Sequence, residues 1–496
     1  MGIIRKQTVS GSFFSYAGVI LGFVNLAILM PEIFSPDQIG LPALIISVSI
    51  IASQIGSLGF NGVTIRLFPY FRNYENNHNG FLGLTILVQS IGLIIVVCGM
   101  IFFIPHLIER NSDDLEILSN FAFLIIPVLI FQLYFVLFDS FCRVLYNAAI
   151  GIILKEFVLR ILNLIIILLF WFEIVTFKQY MFLYVISYAV PAIVLIVYLI
   201  SKNEIKFNLN LGFIKKPFRK ELITVSFYGI IAGLSGIAVI SIDRYMINDI
   251  MNLSSVGIYS VAFAFGTLIL IPGRAMAKIA APLIADMWKE GEIGKIKEVY
   301  TKSSINQFLG GLALLLIIWI NIDDILALLR PDYLDGKFVI LFIALANLIT
   351  AISGISTQVL STSGSFRYHT WFMLMMIVLI VVSNLIFIPM WGITGAAVAT
   401  FVSTLIYSFA RILFLGINYK MYPFRLSHLV SVAIVVFVYF TVRFLNLELL
   451  PLYNIILKAS ISGTLFLLLV YLLRCSPDFN DTLKDLIGRF LKRDRS

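Results

Sequence analysis

Runs of about 20 consecutive apolar residues recur along the whole chain, and they constrain its fold more than any other feature. A helix of that length rises 1.5 Å per residue and crosses a hydrocarbon core of roughly 30 Å. About fourteen such runs occur, near residues 11–33, 38–60, 81–105, 117–141, 148–172, 179–201, 222–242, 255–275, 305–325, 338–361, 370–390, 394–416, 427–445 and 452–473. We therefore expect an all-α polytopic membrane protein with about fourteen transmembrane helices.

The connections between these runs average about a dozen residues, which is too short to hold a soluble domain. No connection contains the G-x-x-x-x-G-K-[ST] loop that cradles ATP phosphates. Three scattered cysteines and four isolated histidines form no disulfide framework and no metal-binding motif. The acidic pairs Asp113-Asp114 and Asp323-Asp324 lie in short loops without catalytic companions. We expect a protein that has no cofactor and is not an enzyme.

The basic residues are distributed asymmetrically between the two sides of the predicted membrane. With the N-terminus placed in the cytoplasm, 28 of the 36 Lys and Arg residues fall in inside segments and 5 in outside segments. A missed or invented span would invert all later loops and destroy this asymmetry. The charge pattern therefore predicts that both termini are cytoplasmic, and the net charge of +9 needs no nucleic-acid partner to explain it.

A basic connection divides the predicted spans into six and eight. We expect an N-terminal lobe (1–201), a basic cytoplasmic loop (202–221), a C-terminal lobe (222–418), two further spans (419–475) and a tail (476–496). Pro36–Leu41 opens one span and is similar to Leu253–Ile258, which opens another six spans later. This similarity predicts parallel repeats, although glycine near the start of a span is common.

The tail carries apolar residues at helical spacing, with basic residues on its other faces. The apolar positions are Phe479, Leu483, Leu486, Ile487 and Phe490. This pattern indicates an amphipathic helix on the cytoplasmic leaflet, and a partner-binding tail is the alternative.

Three ionisable residues of the fifth span are candidates for substrate binding, because a charge inside a membrane needs water or a partner. Arg160 lies about 17 Å along the helix from the cytoplasmic side. Glu156 precedes it by four residues and Lys155 is adjacent to Glu156. One interpretation is a Glu156–Arg160 pair that neutralises itself. The other is a positive cavity lining that binds an anionic headgroup through Arg160 and Lys155.

Four further ionisable residues are candidates for the same cavity. Asp243 and Arg244 are adjacent in the seventh span and point in different directions, so each is expected to find a partner on another helix. Asp139 lies near the inner end of the fourth span. Arg66 follows the second span, where its side chain could instead reach the membrane interface.

Three segments carry a family resemblance. They are Ser241–Tyr245 (SIDRY) followed by Val256–Ala262 (VGIYSVA), Gly59–Arg66 (GFNGVTIR), and Ile388–Thr400 (IPMWGITGAAVAT). Together with the number of spans, they resemble the Wzx-type O-antigen flippases of the multidrug/oligosaccharidyl-lipid/polysaccharide exporter superfamily.

The resemblance implies two six-helix lobes, two added C-terminal helices and alternating access in a bacterial inner membrane. The implied substrate is an undecaprenyl-pyrophosphate-linked oligosaccharide for surface polysaccharide such as lipopolysaccharide. The implied protein is a monomer that can work beside a polysaccharide polymerase. A cation-coupled multidrug exporter and a lipid II flippase are alternatives, although the first span has no carboxylate before Glu32. A membrane-embedded glycosyltransferase or polymerase fits least.

The charge asymmetry gives a topological prediction. A single-cysteine variant that retains Cys475 should resist a membrane-impermeant thiol reagent in intact cells and react after permeabilisation. Cysteine introduced by Asp113→Cys should be labelled in intact cells. The reverse labelling pattern would overturn the orientation.

Overall fold

The computed structural model describes residues 2–111, 114–205, 216–444, 450–481 and 484. Asp113, half of the predicted basic loop and most of the predicted amphipathic tail lie outside these residues. Phe479 is the one apolar position of that tail pattern within them, and it packs against a buried cluster that contains Phe308 and Phe466.

The described residues form twenty α-helices. They are α1 (Gly2–Phe23), α2 (Met30–Ile33), α3 (Pro36–Gly56), α4 (Phe60–Phe71), α5 (Phe81–Arg110), α6 (Leu115–Phe121), α7 (Ile125–Val144), α8 (Ala149–Ile152), α9 (Leu159–Trp171), α10 (Phe177–Ser201), α11 (Lys216–Ile250), α12 (Leu253–Thr267), α13 (Ile271–Glu290), α14 (Ile293–Ile320), α15 (Ile322–Ala327), α16 (Lys337–Ile352), α17 (Ser356–Thr362), α18 (Phe366–Tyr419), α19 (Leu426–Arg443) and α20 (Pro451–Leu472).

Twelve helical segments in the described part of the chain are long and apolar enough to cross a membrane. The 54-residue α18 is broken at Trp391 and Gly392, where the φ of Gly392 is +58°. Glycine adopts this backbone conformation without a Cβ clash, so the break separates two membrane helices. This division raises the number of membrane helices to thirteen, and the helix that contains Lys155 and Arg160 is the fourteenth. The prediction of an all-α protein with about fourteen membrane helices is thereby confirmed.

Packing divides the chain into two compact units. The first comprises Met1–Val261 and Ile380–Ile393, and the second comprises Ala262–Leu379 and Thr394–Ser496. In the first unit, α3 packs against α7 and α11, and α7 packs against α10. Phe68 lies at the centre of an aromatic cluster, with its ring centroid 5.4 Å from those of both Phe81 and Phe141.

The second unit is organised around α14. This helix packs against α13, α16, α19 and α20, and its buried face includes Phe308 and Leu312. Near one end of α20, the Lys458 ammonium lies 2.7 Å from a carboxylate oxygen of Asp324. The apolar area buried between these helices stabilises their packing, and the ion pair neutralises two charges near the membrane.

The starts of α3 and α12 meet in a reciprocal backbone contact. A Cβ added to Gly40 would lie 2.0 Å from the carbonyl oxygen of Leu253, and one added to Gly257 would lie 1.9 Å from that of Pro36. Pro36 and Leu253 open the two segments that the sequence pairs as repeats, and each glycine occupies the fifth position. A contact of a surface with its own counterpart is the mark of a local two-fold axis.

Cys475 is unsuitable as a topological reporter. Its side chain is 3% exposed, and burial raises the pKa of its thiol above the usual range. Because the thiolate is the reactive form, Cys475 would react slowly from either side of the membrane. Lys289, which is exposed and predicted to be cytoplasmic, provides a better position as Lys289→Cys.

The glycine contact predicts a stability difference between two conservative substitutions. Gly40→Ala should lower the unfolding free energy by about 1–3 kcal/mol, because the new methyl group forces two backbones apart. Gly99→Ala is the control, since a Cβ at Gly99 meets no atom within 4 Å. Thermal unfolding of the detergent-solubilised protein measures both, and an equal effect of the two substitutions would contradict the role of the contact.

Candidate functional site

Two wide helical turns lie in the first unit, one packed against α9 and the other against α1. Val24–Leu29 continues α1 as a π-helical turn, and Ile153–Val158 forms a second π-helical turn between α8 and α9. The side-chain amide of Asn25 donates a hydrogen bond of 2.9 Å to the backbone carbonyl of Arg160. Such turns occur often at functional sites, because they widen the helix and leave backbone groups available.

The Arg160 guanidinium lies against Gly22 of α1. A Cβ on Gly22 would come within 2.6 Å of the Arg160 Nη1 atom, so the missing side chain makes room for the guanidinium. Within the described residues, no ion pair joins Arg160 to Glu156. The π-helical turn explains this, because it replaces the i to i+4 register that would bring the two side chains together.

Three tyrosines form a stripe along α10. The ring centroids of Tyr180 and Tyr184 are 5.8 Å apart, and those of Tyr184 and Tyr188 are 5.7 Å apart. Tyr184 and Tyr188 lie close enough to interact electrostatically with Arg160 on α9. Both also interact electrostatically with Arg244 on α11. We call Arg160, Tyr184, Tyr188 and Arg244 the arginine–tyrosine cluster. Each of its members is partly exposed.

Asp243 and Arg244 contact other helices, as their adjacency predicts. The hydroxyl of Tyr259 donates to one carboxylate oxygen of the fully buried Asp243 at 2.6 Å, and the Asn384 amide donates to the other at 2.7 Å. The Arg244 Nε atom donates to the Ser260 hydroxyl at 2.9 Å. Asp243 therefore anchors three helices, and the neighbouring Arg244 extends into the cluster.

Asp139 and Lys155 lie beside the cluster. Arg143 forms an ion pair with the buried Asp139 carboxylate one turn away on α7. Lys155 lies over the ring of Phe135 at 5.8 Å, and it experiences the charges of Asp139, Glu156, Arg143 and Arg160. With Asp139 held by Arg143, positive charge predominates around Lys155 and Arg160.

Arg66 does not join this group. It is exposed on α4, which begins after a sharp break at Leu58 and Gly59. The fold thus brings Arg160, Lys155, Glu156, Asp139, Asp243 and Arg244 into one region of the first unit and leaves Arg66 outside it.

Sequence reasoning missed the residues that hold these charges in place. The four-residue spacing of Tyr180, Tyr184 and Tyr188 predicts that the three side chains share one face of a helix. Tyr259 lies inside a segment that carries the family resemblance, but its contact with Asp243 depends on the packing of α11 against α12. Nothing in the local sequence marks Asn384 or Gly22.

The fold is similar to that of solved membrane transporters. The structure is similar to that of the lipid II flippase MurJ in its inward closed conformation, with a TM-score of 0.76 and 12% identity, over 94% of this chain and 98% of that one. It is also similar to an inward-facing multidrug resistance MATE family transporter of the MOP superfamily, with a TM-score of 0.63 and 11% identity, over 82% and 98% of the two chains. The chain has the fold of MOP superfamily transporters.

The family follows from the sequence. Residues 4–288 match the family described as polysaccharide biosynthesis protein, and this match covers more than half of the chain, so the chain belongs to that family. A probable flippase of Haloferax volcanii, AglR, is 26% identical over 208 residues, which are 40% of this chain and 42% of that relative. The match thus spans less than half of the relative's length.

Proposed function

We propose that this protein is a flippase that moves a polyprenyl-pyrophosphate-linked oligosaccharide from the cytoplasmic to the outer leaflet by alternating access. The observation that carries the proposal is the Arg160 guanidinium, which is held inside the membrane region without an ion-pair partner among the described residues. A charge in this position needs water or a partner, and an anionic substrate would be that partner during the transport cycle.

The chemistry of the arginine–tyrosine cluster suits a sugar pyrophosphate. Arginine donates a fork of hydrogen bonds to phosphate oxygens, and tyrosine offers both a hydroxyl and an aromatic face to an adjacent sugar. A sugar headgroup cannot cross hydrocarbon without polar partners, whereas the polyprenyl tail can remain in the lipid. In this proposal Arg160 and Arg244 bind the pyrophosphate, Tyr184 and Tyr188 contact the first sugar, and Lys155 maintains the positive potential.

The setting is proposed on the same basis. The chain would lie in a bacterial inner membrane with cytoplasmic termini, act as a monomer without a cofactor, and pass its product to a polysaccharide polymerase. The O-antigen of lipopolysaccharide is one surface glycan that such a substrate would build. The family membership and the AglR match support the flippase class.

Deletion of the gene should trap lipid-linked oligosaccharide on the cytoplasmic leaflet and abolish one surface polysaccharide, with drug susceptibility unchanged. Surface glycan staining and extraction of lipid-linked sugars measure this outcome. Normal glycan with increased dye sensitivity would favour a multidrug exporter, and lysis on depletion would favour a lipid II flippase.

Substitutions of Arg160 should affect transport according to charge. Arg160→Lys should retain partial transport, because lysine keeps the positive charge but cannot donate two parallel hydrogen bonds to a phosphate. Arg160→Gln and Arg160→Ala should lose about ten- to a hundredfold, the cost of a charge-assisted hydrogen bond. Surface polysaccharide at matched levels of membrane-inserted protein is the measurement.

Two further variants separate binding from a structural role. The double variant Glu156→Gln with Arg160→Gln should remain inactive, and recovery to wild-type output would mean that Arg160 only neutralises Glu156. Gly22→Ala should also reduce transport, because the methyl group displaces a flexible guanidinium while the charge remains. Gly99→Ala is the matched control and should transport normally.

A further inference from the structure

Arg411 is buried in the second unit, near one end of the predicted span 394–416. It lies in the second half of α18, eight residues before the helix ends at Tyr419, which is about 12 Å along the axis. Only 3% of its surface is exposed. The side chain therefore does not extend to the membrane interface, as an arginine near a helix end usually does.

The hydrogen-bond partners of Arg411 are all neutral. Its Nη1 atom donates to the Thr357 hydroxyl at 2.6 Å and to the Tyr407 hydroxyl at 3.0 Å. The guanidinium carbon lies 4.7 Å from the centre of the Tyr407 ring. Among the described residues, no carboxylate forms an ion pair with Arg411, and its buried Nε atom has no hydrogen-bond partner.

Three further polar side chains in this part of the second unit have a buried atom without a hydrogen-bond partner among the described residues. Tyr300 and His369 are within electrostatic range of Arg411, and no other charged group of the described residues acts on either. The Tyr300 hydroxyl and the His369 Nδ1 atom are buried and unbonded within the described residues, as is the hydroxyl of Ser408, one helical turn before Arg411. These groups come from α14 and from both halves of α18.

Part of the surroundings is apolar. Tyr300 belongs to a buried cluster with Val359 and Leu415, which lie on the same helices as Thr357 and Arg411. A cation and several polar groups left unpaired in such surroundings would be costly, because water cannot compensate them fully. An anion would accept these hydrogen bonds and neutralise the charge.

A second arginine shows what the purely structural version of this contact looks like. Arg443 on α19 donates to the hydroxyl of Tyr439 at 2.8 Å and lies 5.7 Å from its ring, with the same four-residue spacing as Arg411 and Tyr407. Arg443 is exposed, so solvent and lipid headgroups satisfy its charge. Burial without a counter-charge distinguishes Arg411 from this pair.

We propose that Arg411, together with Tyr300, Ser408 and His369, binds a phosphate group in the second unit. The free Nε edge of an arginine presents two parallel donors, a geometry that suits the oxygens of a phosphate. The phosphate is either a free inorganic ion or the headgroup of a membrane lipid. Tyr368 and Trp371 at the start of α18 are exposed. Exposed tyrosine and tryptophan are enriched where a membrane helix meets the lipid headgroups, so headgroups are expected near this end of α18.

Binding to the purified full-length protein in dodecyl maltoside tests this proposal without a transport assay, so it stands apart from the proposed flippase activity. Inorganic phosphate is titrated by radiolabel binding and by thermal unfolding, with chloride at equal ionic strength as the reference. Phosphatidylglycerol is then compared with diacylglycerol, which has no phosphate.

We expect saturable phosphate binding with at least a tenfold loss of affinity at this site in Arg411→Gln, whereas Arg443→Gln should bind like the wild type. If only phosphatidylglycerol binds and Arg411→Gln removes that binding, the site belongs to a lipid headgroup. Absence of both responses, or equal losses in Arg411→Gln and Arg443→Gln, would overturn the proposal.

Two milder variants decide the question if Arg411→Gln fails to fold. Tyr300→Phe and Ser408→Ala each remove one hydroxyl and retain the charge. Each should weaken phosphate binding several-fold while the protein without phosphate unfolds near the wild-type temperature. Unchanged phosphate affinity in both variants would overturn the proposal.

Discussion

In hydrocarbon no water replaces a missing partner, and this constraint governs where every polar group of this chain is placed. Backbone groups are satisfied inside helices, so the described part of the chain is built from helices joined by short connections. The charged side chains in the membrane region include two contrasting groups. Asp139 and Asp324 have ion-pair partners, whereas Arg160 and Arg411 have none among the described residues.

Arg160, which is partly exposed, and Arg411, which is buried, have similar surroundings in separate units. Arg160 lies against a glycine of the first helix and near two tyrosines of α10. Arg411 bonds to a threonine and a tyrosine and lies near a further tyrosine and a histidine. In both places neutral donors and aromatic rings surround a cation, which keeps the charge available to an anion.

Hydropathy predicts the membrane helices well, because a membrane helix satisfies its own backbone and its signal is therefore local. The sequence also predicts the break at Gly392, because this residue lies between two apolar runs. The partners of the charged residues could not be predicted, because they depend on which helices are neighbours. Arg411 illustrates the limit: its distance from the helix end suggests an interfacial residue, and only the packing of α14, α17 and α18 reveals its burial.

The absence of a Glu156–Arg160 pair has a similar origin. A single wide turn shifts the helical register by one residue, and hydrophobic periodicity over one turn cannot detect it. The tyrosine stripe of α10 was accessible from spacing alone, whereas its relation to Arg160 and Arg244 was not.

The π-helical turn at Ile153–Val158 also has a consequence for how such proteins diverge. A π-helical turn holds one residue more than an α-helical turn, so loss of one residue there would restore an ordinary helix while the part that follows keeps nearly the same facing. Arg160 would stay against Gly22, whereas the side chains of the turn itself, Lys155 and Glu156 among them, would be redistributed around the helix. A single deletion would therefore change the charges beside Arg160 without an amino-acid replacement, and related chains can acquire different preferences in this way.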